Sequence, residues 1–167
     1  AGFRTPDKVF VHGHLTVNGE KMSKSKGTQL NARTYLNHLD PSYLRYYYAC
    51  KLNSSNDDLD LSMDDFTQRV NSDLVGKITN LGSRGAQMLG KRFAGELTAF
   101  DAAGAELVKK TQAKSEEIAA HFEGREFAKG INEIRALADE ANRYFDEKAP
   151  WKLVETDPAA TQKVLSA

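Results

Sequence analysis

The pattern of apolar and polar residues divides the chain into a short β-forming start and a long helical remainder. Lys8–Val11 is an apolar run bounded by turn-forming residues, which predicts a buried strand. Leu15–Val17 and Glu20–Met22 flank Asn18-Gly19, a dipeptide typical of a two-residue type I′ hairpin. We therefore expect one strand and one hairpin near the start of the chain.

Helical spacing of apolar residues follows the hairpin, and cap residues mark several helix starts. Asp40-Pro41 is typical of an N-cap followed by the first helical residue, and Ser62 with Asp65 resembles a capping box. The polar, aspartate-rich residues 53–61 predict a connector. We predict helices over 32–39, 41–52, 63 to a break at Gly95, 105–122, 126–148 (ended by Pro150) and from Asp157-Pro158 onward.

Two of these helices have an apolar stripe at spacings of three, four or seven residues. On the first, the stripe consists of Phe66, Val70, Leu74, Ile78, Leu81 and Met88. On the helix at 126–148, it consists of Phe127, Ile131, Ile134, Leu137, Ala141 and Phe145. Helices that each present one apolar face pack into a bundle, so the sequence predicts a mainly α fold with a short β-hairpin before it.

Charge adds a local asymmetry to this outline. Lys plus Arg and Asp plus Glu both number 23, so the whole chain has no overall basic footprint for nucleic acid. Residues 1–35 nevertheless have a net charge of +4 and residues 51–66 a net charge of −4. We interpret the acidic run as a solvated loop before a helix N-terminus rather than a metal site, because it lacks the EF-hand glycine and glutamate.

The cysteine and histidine content and the hydropathy indicate whether the chain has disulfides, a metal site or a membrane span. Cys50 is the one cysteine, and the four histidines are scattered, so we predict no disulfide and no metal site. A lone cysteine fits a reducing cytoplasm. No charged-then-apolar leader and no apolar run near 18 residues occurs, which predicts neither secretion nor a membrane span.

The densest chemical signal is the run Lys21-Met22-Ser23-Lys24-Ser25, followed by Lys26-Gly27-Thr28. Ammonium groups neutralise phosphate charge, while hydroxyls and backbone N–H groups donate to phosphate oxygens. The run therefore suits a polyphosphate, although most lysine-rich loops are merely solvated. The P-loop spacing of glycine, four residues and Gly-Lys-Ser/Thr is absent, so this is not a Walker-type cradle.

The string KMSKS matches the signature loop of class I aminoacyl-tRNA synthetases letter for letter. The wider run 11–28 is similar to the methionyl-tRNA synthetase family in particular, and so are Leu44–Tyr48, Asn80–Arg84 and Ala149–Trp151. This resemblance covers about residues 3–155. It implies an ATP-dependent ligase that activates methionine and transfers it to tRNA(Met).

The resemblance also assigns roles in the loop. It implies that Lys21 and Lys24 are catalytic, with Lys24 placed on the departing pyrophosphate. Met22, Ser23 and Ser25 complete the ATP-binding loop, in which we expect the two hydroxyls mainly to shape the backbone. ATP with Mg²⁺ is then a substrate of the complete enzyme.

A second candidate site lies on the first long helix. Its polar residues recur every three or four positions and should share a face roughly opposite Ile78: Lys77, Asn80, Arg84, Gln87 and Lys91. Such a stripe is usually just the solvated face, although amides and cations also suit RNA. The resemblance implies that Asn80, Arg84 and the pair Pro150-Trp151 read the anticodon. Trp151 could be a buried apolar plug; we favour a stacking platform for an unpaired base.

Two further motifs are set aside. His12-Gly13-His14 resembles the other class I signature, but it is one residue short and leads into a hairpin, so we expect a scaffold role. Tyr46–Tyr48 could stack on bases. At helical spacing at most two of these tyrosines face outward, so we expect core packing.

The resemblance implies two domains. Residues 1–60 would be the tail of a Rossmann-type catalytic domain, and residues 61–167 a truncated, α-helical anticodon-binding domain. The family's helix-opening histidine signature, methionine pocket and zinc-bearing insert are missing, so we expect a fragment of a cytoplasmic ligase that works with the rest of its polypeptide. The alternative is a stand-alone tRNA-binding or structural helical module without catalysis.

Overall fold

A small three-stranded sheet leads into a series of helices in the computed structural model, which describes residues 2–25 and 27–167. Lys26, which the sequence places in the basic loop, lies outside the described residues. The strands are β1 (Leu15–Val17), β2 (Glu20–Lys21) and β3 (Leu59–Leu61). The sheet order is β2-β1-β3, with β1 antiparallel to β2 and parallel to β3.

The predicted hairpin is confirmed. Asn18 and Gly19 have φ values of 50° and 77°, the left-handed values that a type I′ turn requires. The prediction that 53–61 is only a connector is wrong, because its last three residues form β3. The alternation Leu59-Asp60-Leu61 places both leucines on one face of the strand, where they are buried.

The predicted strand at Lys8–Val11 is wrong as well. These residues have no regular structure, and Val9, Phe10 and Val11 are 74%, 55% and 69% exposed. The strands β1, β2 and β3 pair only with one another, so none of them covers this run. Phe10 instead packs under the Arg125 guanidinium, 3.7 Å from the ring centroid.

The cap residues start their helices as predicted. Asp40 accepts a hydrogen bond from Ser42 N–H, and Ser62 accepts one from Asp65 N–H. The helices are α1 (Ala32–Leu36), α2 (Pro41–Ala49), α3 (Met63–Arg69), a π-helical segment (Val70–Thr79), α4 (Asn80–Phe93), α5 (Ala102–Ala113), α6 (Ser115–Glu123), α7 (Phe127–Lys148), α8 (Pro150–Leu153) and α9 (Pro158–Ser166).

The single helix predicted at 105–122 is in fact α5 and α6, separated at Lys114. Glu116 and Glu117 lie in the first turn of α6, where carboxylates are favoured by the helix dipole. Over residues 2–25 and 27–167, every helix is too short or too polar to cross a membrane.

One continuous helix, which we call the long helix, comprises α3, the π-helical segment and α4. A π-helix bonds five residues back instead of four and is wider than an α-helix. Its winding changes which residues face the bundle, so the predicted apolar stripe is wrong at Ile78, which is 37% exposed. Asp73, which is 3% exposed, takes a buried place instead.

The core beneath the sheet is built on Tyr47, which has no exposed surface. Its ring meets Phe66 edge-on, with centroids 5.6 Å apart. Tyr46 and Tyr48 are half-buried, so the prediction of core packing for this triplet is confirmed.

The Tyr47 hydroxyl joins four groups at the centre of the fold. It lies 3.1 Å from the Asp60 carbonyl oxygen and 3.1 Å from Asp65 Oδ2, and it accepts from Ser62 N–H at 3.2 Å. Lys51 Nζ donates to the same oxygen and to the Asp60 carbonyl oxygen. We call this set of contacts the Tyr47 junction.

Removing the Tyr47 hydroxyl should therefore destabilise the protein. Tyr47→Phe leaves buried donors and acceptors unpaired, which typically costs about 1–3 kcal/mol in the free energy of unfolding. Urea unfolding followed by circular dichroism measures this. Tyr43→Phe is the matched control, since Tyr43 lies on the same helix and takes no part in the junction. Equal unfolding midpoints for both variants would contradict this role.

Candidate nucleotide and RNA interface

The KMSKS loop leaves β2 and is closed by Thr28. The Thr28 hydroxyl donates to the Lys21 carbonyl oxygen at 3.1 Å and accepts from Ser23 N–H at 2.9 Å. Thr28 N–H donates to the Ser23 carbonyl oxygen at 3.2 Å. Gly27 turns the chain with a φ of 69°, a value that glycine adopts without strain. The loop is thus held at both ends by one side chain.

Lys21 and Lys24, the basic residues of the loop within the described ranges, face solvent. Neither lysine forms an ion pair with an acid of the described ranges. The hydroxyl oxygens of Ser23 and Ser25 lie 3.0 Å apart and bond each other. The ammonium groups are therefore available to an anion, while the serine hydroxyls are engaged within the loop.

Asp60 anchors the hairpin that carries this loop. Its Oδ1 accepts from the Thr16 hydroxyl at 2.6 Å and from Gly19 N–H at 2.7 Å. The hydrogen bond from Thr16, followed by that from Gly19, holds the pKa of this carboxyl below its ordinary value. A lowered pKa means that the anchor is complete at neutral pH and is lost only as the pH falls through the lowered pKa.

The histidine motif upstream of the hairpin has a scaffold geometry. His14 N–H donates to Asp58 Oδ1 at 2.7 Å, and its ring is exposed. Gly13 passes so close to the backbone of Asp57 and Asp58 that a Cβ there would overlap it. Within the described residues, the His, Cys, Asp and Glu side chains form no group of three that could hold a metal ion.

The acidic run predicted to be solvated is partly structural. Asp65 lies 2.9 Å from Lys51 Nζ and 2.8 Å from Arg69 Nε. Burial alone would raise the pKa of the Asp65 carboxyl, but hydrogen bonds from Lys51 and Arg69 hold it below its usual value. Asp65 thus links the segment just after α2 to the first turns of the long helix.

A second candidate site is a cavity of about 400 Å³ between α4, α7 and α8, lined by Arg84, Gln87, Met88, Lys91, Arg92, Phe145 and Trp151. The Arg84 guanidinium carbon lies 4.8 Å from the Phe145 ring centroid and 5.1 Å from that of Trp151. Trp151 is 40% exposed. The indole is therefore partly open to solvent and bears a cation on one side.

The turn before Trp151 fixes its direction. Ala149 ends α7 in the left-handed region with a φ of 43°, and buried Pro150 opens α8. Proline is favoured at the first helical position because it lacks the N–H that would go unpaired there. The indole follows at once, 5.8 Å from the Phe145 ring centroid.

Ion pairs join the long helix to α7 along this side of the bundle. The pairs are Asp73–Arg135 at 3.1 Å, Lys77–Asp139 at 2.6 Å and Arg84–Asp146 at 3.5 Å. The partners are always 62 residues apart (135 less 73, 139 less 77, 146 less 84), so the two helices run parallel with one register. Asn142 Nδ2 adds a long contact to the Lys77 carbonyl oxygen at 3.4 Å.

Two family models match this chain. The model described as tRNA synthetases class I (M) matches residues 1–86. The model described as the anticodon binding domain of methionyl tRNA ligase matches residues 94–166.

The chain belongs to the methionyl-tRNA synthetase family.

Individual relatives agree with this assignment. A methionine–tRNA ligase of Bdellovibrio bacteriovorus is 64% identical over 166 residues, which cover 99% of this chain and 24% of the relative. Methionyl-tRNA synthetase of Mycobacterium tuberculosis in complex with methionyl-adenylate matches with a TM-score of 0.83 at 28% identity, over 98% of this chain and 33% of that one. A second structure of that enzyme bound by methionyl-adenylate has a TM-score of 0.81 at 26% identity, over 99% of this chain and 33% of its own length.

The chain thus spans about a quarter of the length of the curated relative and about a third of the solved chains. The family resemblance inferred from the KMSKS loop and the helical segments is confirmed, and so is the mainly α fold with a small sheet before a helical bundle.

The structure brings together some of the predicted site residues. Arg84 and Trp151 share the cavity, and Gln87 and Lys91 line it with them. Asn80 is exposed one turn before Arg84 and is not among the cavity-lining residues, while Lys77 is turned toward α7. The five polar residues predicted to share one face are therefore divided between the α7 contact, the cavity and open solvent.

Three residues near these sites were missed by sequence reasoning in their actual roles. Asp60 belongs to the acidic run, and only the Leu-Asp-Leu alternation signals that it lies on a strand. Asp73 lies three residues after Val70, on the same side of the helix, which signals burial. Phe145 was predicted on an apolar face, but its contact with Arg84 depends on tertiary structure.

Proposed function

We propose that this chain supplies the KMSKS loop and the anticodon-reading bundle of a methionine–tRNA ligase. The observation that carries the proposal is the cavity in which Arg84 meets Phe145 and the part-exposed Trp151, in a chain of this family whose loop also exposes Lys21 and Lys24. Residues 1–60 would belong to the catalytic domain and residues 61–167 to the anticodon-binding domain. We place the enzyme in the cytoplasm.

The reaction fits the chemistry of the loop. In the first step the methionine carboxylate attacks the α-phosphate of ATP, which forms methionyl-adenylate and releases pyrophosphate. In the second step the methionyl group passes from the adenylate to a hydroxyl of tRNA(Met), and AMP leaves. Negative charge gathers on the transferring and departing phosphates, so catalysis depends on positioning and on cations. Methionine would bind outside this chain, and Mg²⁺ would arrive with the triphosphate of the ATP substrate.

Within the loop, the exposed lysines and the hydrogen-bonded serines have different roles. Lys21 and Lys24 present free ammonium groups, which can neutralise phosphate charge directly. Ser23 and Ser25 bond each other, and Ser23 N–H donates to the Thr28 hydroxyl, so these three residues shape the loop. The Asp60 anchor holds the hairpin beneath the loop, which reduces the reorganisation needed when the nucleotide binds.

Lys24→Ala in the ligase should slow methionine activation by at least ten-fold. The reason is that losing a donor to charge developed in the transition state typically costs about 10²–10³ in rate. Methionine-dependent exchange of pyrophosphate into ATP measures it, together with the Kd for methionine, which should change little. Lys109→Ala on α5 removes an equivalent exposed charge far from the loop and serves as the control. Near-normal exchange by the Lys24 variant would refute the role.

The cavity suits an unpaired RNA base. An indole that is held by Pro150 and partly open to solvent offers a flat face for stacking, worth about 1–3 kcal/mol per base. The Arg84 guanidinium can donate to a base edge or a phosphate from the same cavity, and the Asn80 amide lies one turn earlier on α4. Single-stranded loops are the part of RNA whose bases are open to such readout.

Trp151→Ala should therefore weaken the choice of tRNA. We expect kcat/KM for charging tRNA(Met) to fall while charging of anticodon-altered tRNA changes little, because a stacking term of about 1–3 kcal/mol is lost only for the cognate base. Trp151→Phe, which keeps an aromatic face, should retain most of the discrimination. Methionine-dependent pyrophosphate exchange controls for damage to activation. An unchanged ratio of cognate to altered charging in the alanine variant would end the proposal.

A further inference from the structure

One buried polar cluster has no part in the function proposed so far. The Asp73 side chain is 4% exposed and lies where α2, the π-helical segment and α7 meet. Its Oδ2 accepts from the Tyr46 hydroxyl at 3.0 Å, and its Oδ1 lies 3.1 Å from the Arg135 guanidinium. Burial raises the pKa of the Tyr46 hydroxyl, so Tyr46 is a neutral donor. The cluster therefore links α2 to the long helix and to α7, two of the helices that line the cavity.

Among the ion pairs between the long helix and α7, this pair differs in environment. Asp139 and Asp146, the α7 acids of the other two pairs, have side chains that are 58% and 61% exposed. Exposed pairs contribute little, because water screens them and the side chains lose freedom. The Asp73–Arg135 pair is screened least, so it has the greatest influence on how α7 lies along the long helix.

That register determines the geometry of the cavity. Arg84 belongs to the long helix, whereas Phe145 belongs to α7 and Trp151 follows it through the turn at Ala149. A slip of α7 by a single residue corresponds to about 1.5 Å along its axis. Such a shift would separate the Arg84 guanidinium from the two rings that it contacts at 4.8 and 5.1 Å.

We propose that Asp73 and Arg135 are positioning residues for tRNA recognition, which set the register between the long helix and α7 and so hold Arg84 against Trp151. This inference rests on the proposed function of the cavity. Neither residue touches the RNA; both act through the helices that carry Arg84 and Trp151.

A purely stabilising role would be met more simply by apolar residues. An ion pair that buries a carboxylate is often no more stable than apolar side chains of similar volume, because the carboxylate loses its hydration. In this pair Asp73 is the buried partner, while the Arg135 side chain is 31% exposed. Here Arg135 Nε is buried and has no hydrogen-bond partner in the described part of the chain, which adds to that cost. The guanidinium nevertheless gives a direction to the contact, and apolar packing does not.

The test compares Arg135→Met, Asp73→Leu with Arg135→Met, and Trp151→Ala in the ligase. Thermal unfolding, pyrophosphate exchange and the KM for tRNA(Met) are measured for each. Arg135→Met alone should lower the Tm, since it leaves Asp73 buried and unpaired. The double variant should recover most of the Tm, less the cost of the Tyr46 hydroxyl that loses its acceptor. It should keep normal pyrophosphate exchange, while its KM for tRNA(Met) stays raised by about ten-fold, because small misplacements of binding groups are costly.

Each outcome decides the proposal. Recovery of the tRNA KM together with the Tm in the double variant would show a merely structural pair and overturn it. If the double variant does not fold, Asp73→Asn is measured at a temperature where it is fully native, and an unchanged tRNA KM overturns the proposal. Trp151→Ala distinguishes failure of the proposed cavity function from failure of the positioning role. An unchanged KM for tRNA(Met) in Trp151→Ala would contradict the proposed function of the cavity. A raised KM in Trp151→Ala together with a normal KM in the double variant would contradict only the positioning role of Asp73 and Arg135.

Discussion

The hydroxyl of Tyr47 is the contact on which the rest of the structure depends. It meets the backbone of β3 at Asp60, the N-cap of the long helix at Ser62 and the carboxylate of Asp65. β3 in turn pairs with β1, whose hairpin carries the KMSKS loop. An oxygen with no access to water thus joins the basic loop to the start of the helix that ends at the cavity of Arg84 and Trp151. Because the same strand that anchors the loop also precedes the long helix, the two candidate sites share one frame.

The part of the fold around the cavity depends on the contact between two parallel helices. The long helix and α7 are held in a single register by ion pairs, of which Asp73–Arg135 is the one with a buried carboxylate. At the end of this contact the guanidinium of Arg84 lies against both a buried phenyl ring and a part-exposed indole, whose centroids are 5.8 Å apart. The cavity is therefore a product of helix register as much as of its lining residues.

Local features of the fold could be predicted from the sequence because their causes are local. The Asn18-Gly19 turn needs two left-handed residues, and Asp40, Ser62 and Pro150 act on the backbone beside them. The family could also be predicted, since the KMSKS string and the later matching segments are short unbroken runs of residues. Whether Lys24, Asn80, Arg84 and Trp151 act as proposed is a separate matter that stays a prediction.

The structural predictions that were wrong concern features that depend on interactions between distant parts of the chain. Lys8–Val11 is apolar enough for a strand, yet pairing requires a neighbour that only tertiary structure supplies. β3 was not predicted within its acidic stretch, because it forms a strand by pairing with β1, more than forty positions earlier along the chain. The predicted stripe assumed 3.6 residues per turn, which the π-helical segment does not have, so Ile78 lies outside the core. The partners of Asp73 lie on α2 and α7 and could not be inferred from its neighbours in sequence.

The most direct test of this account is a structure of the ligase that contains this sequence, with a nucleotide and tRNA(Met) bound together. The account predicts the Lys24 ammonium against the phosphates of the nucleotide and the Trp151 indole stacked on an unpaired base beside Arg84. A structure in which the loop points away from the nucleotide while the indole is enclosed by protein would contradict it.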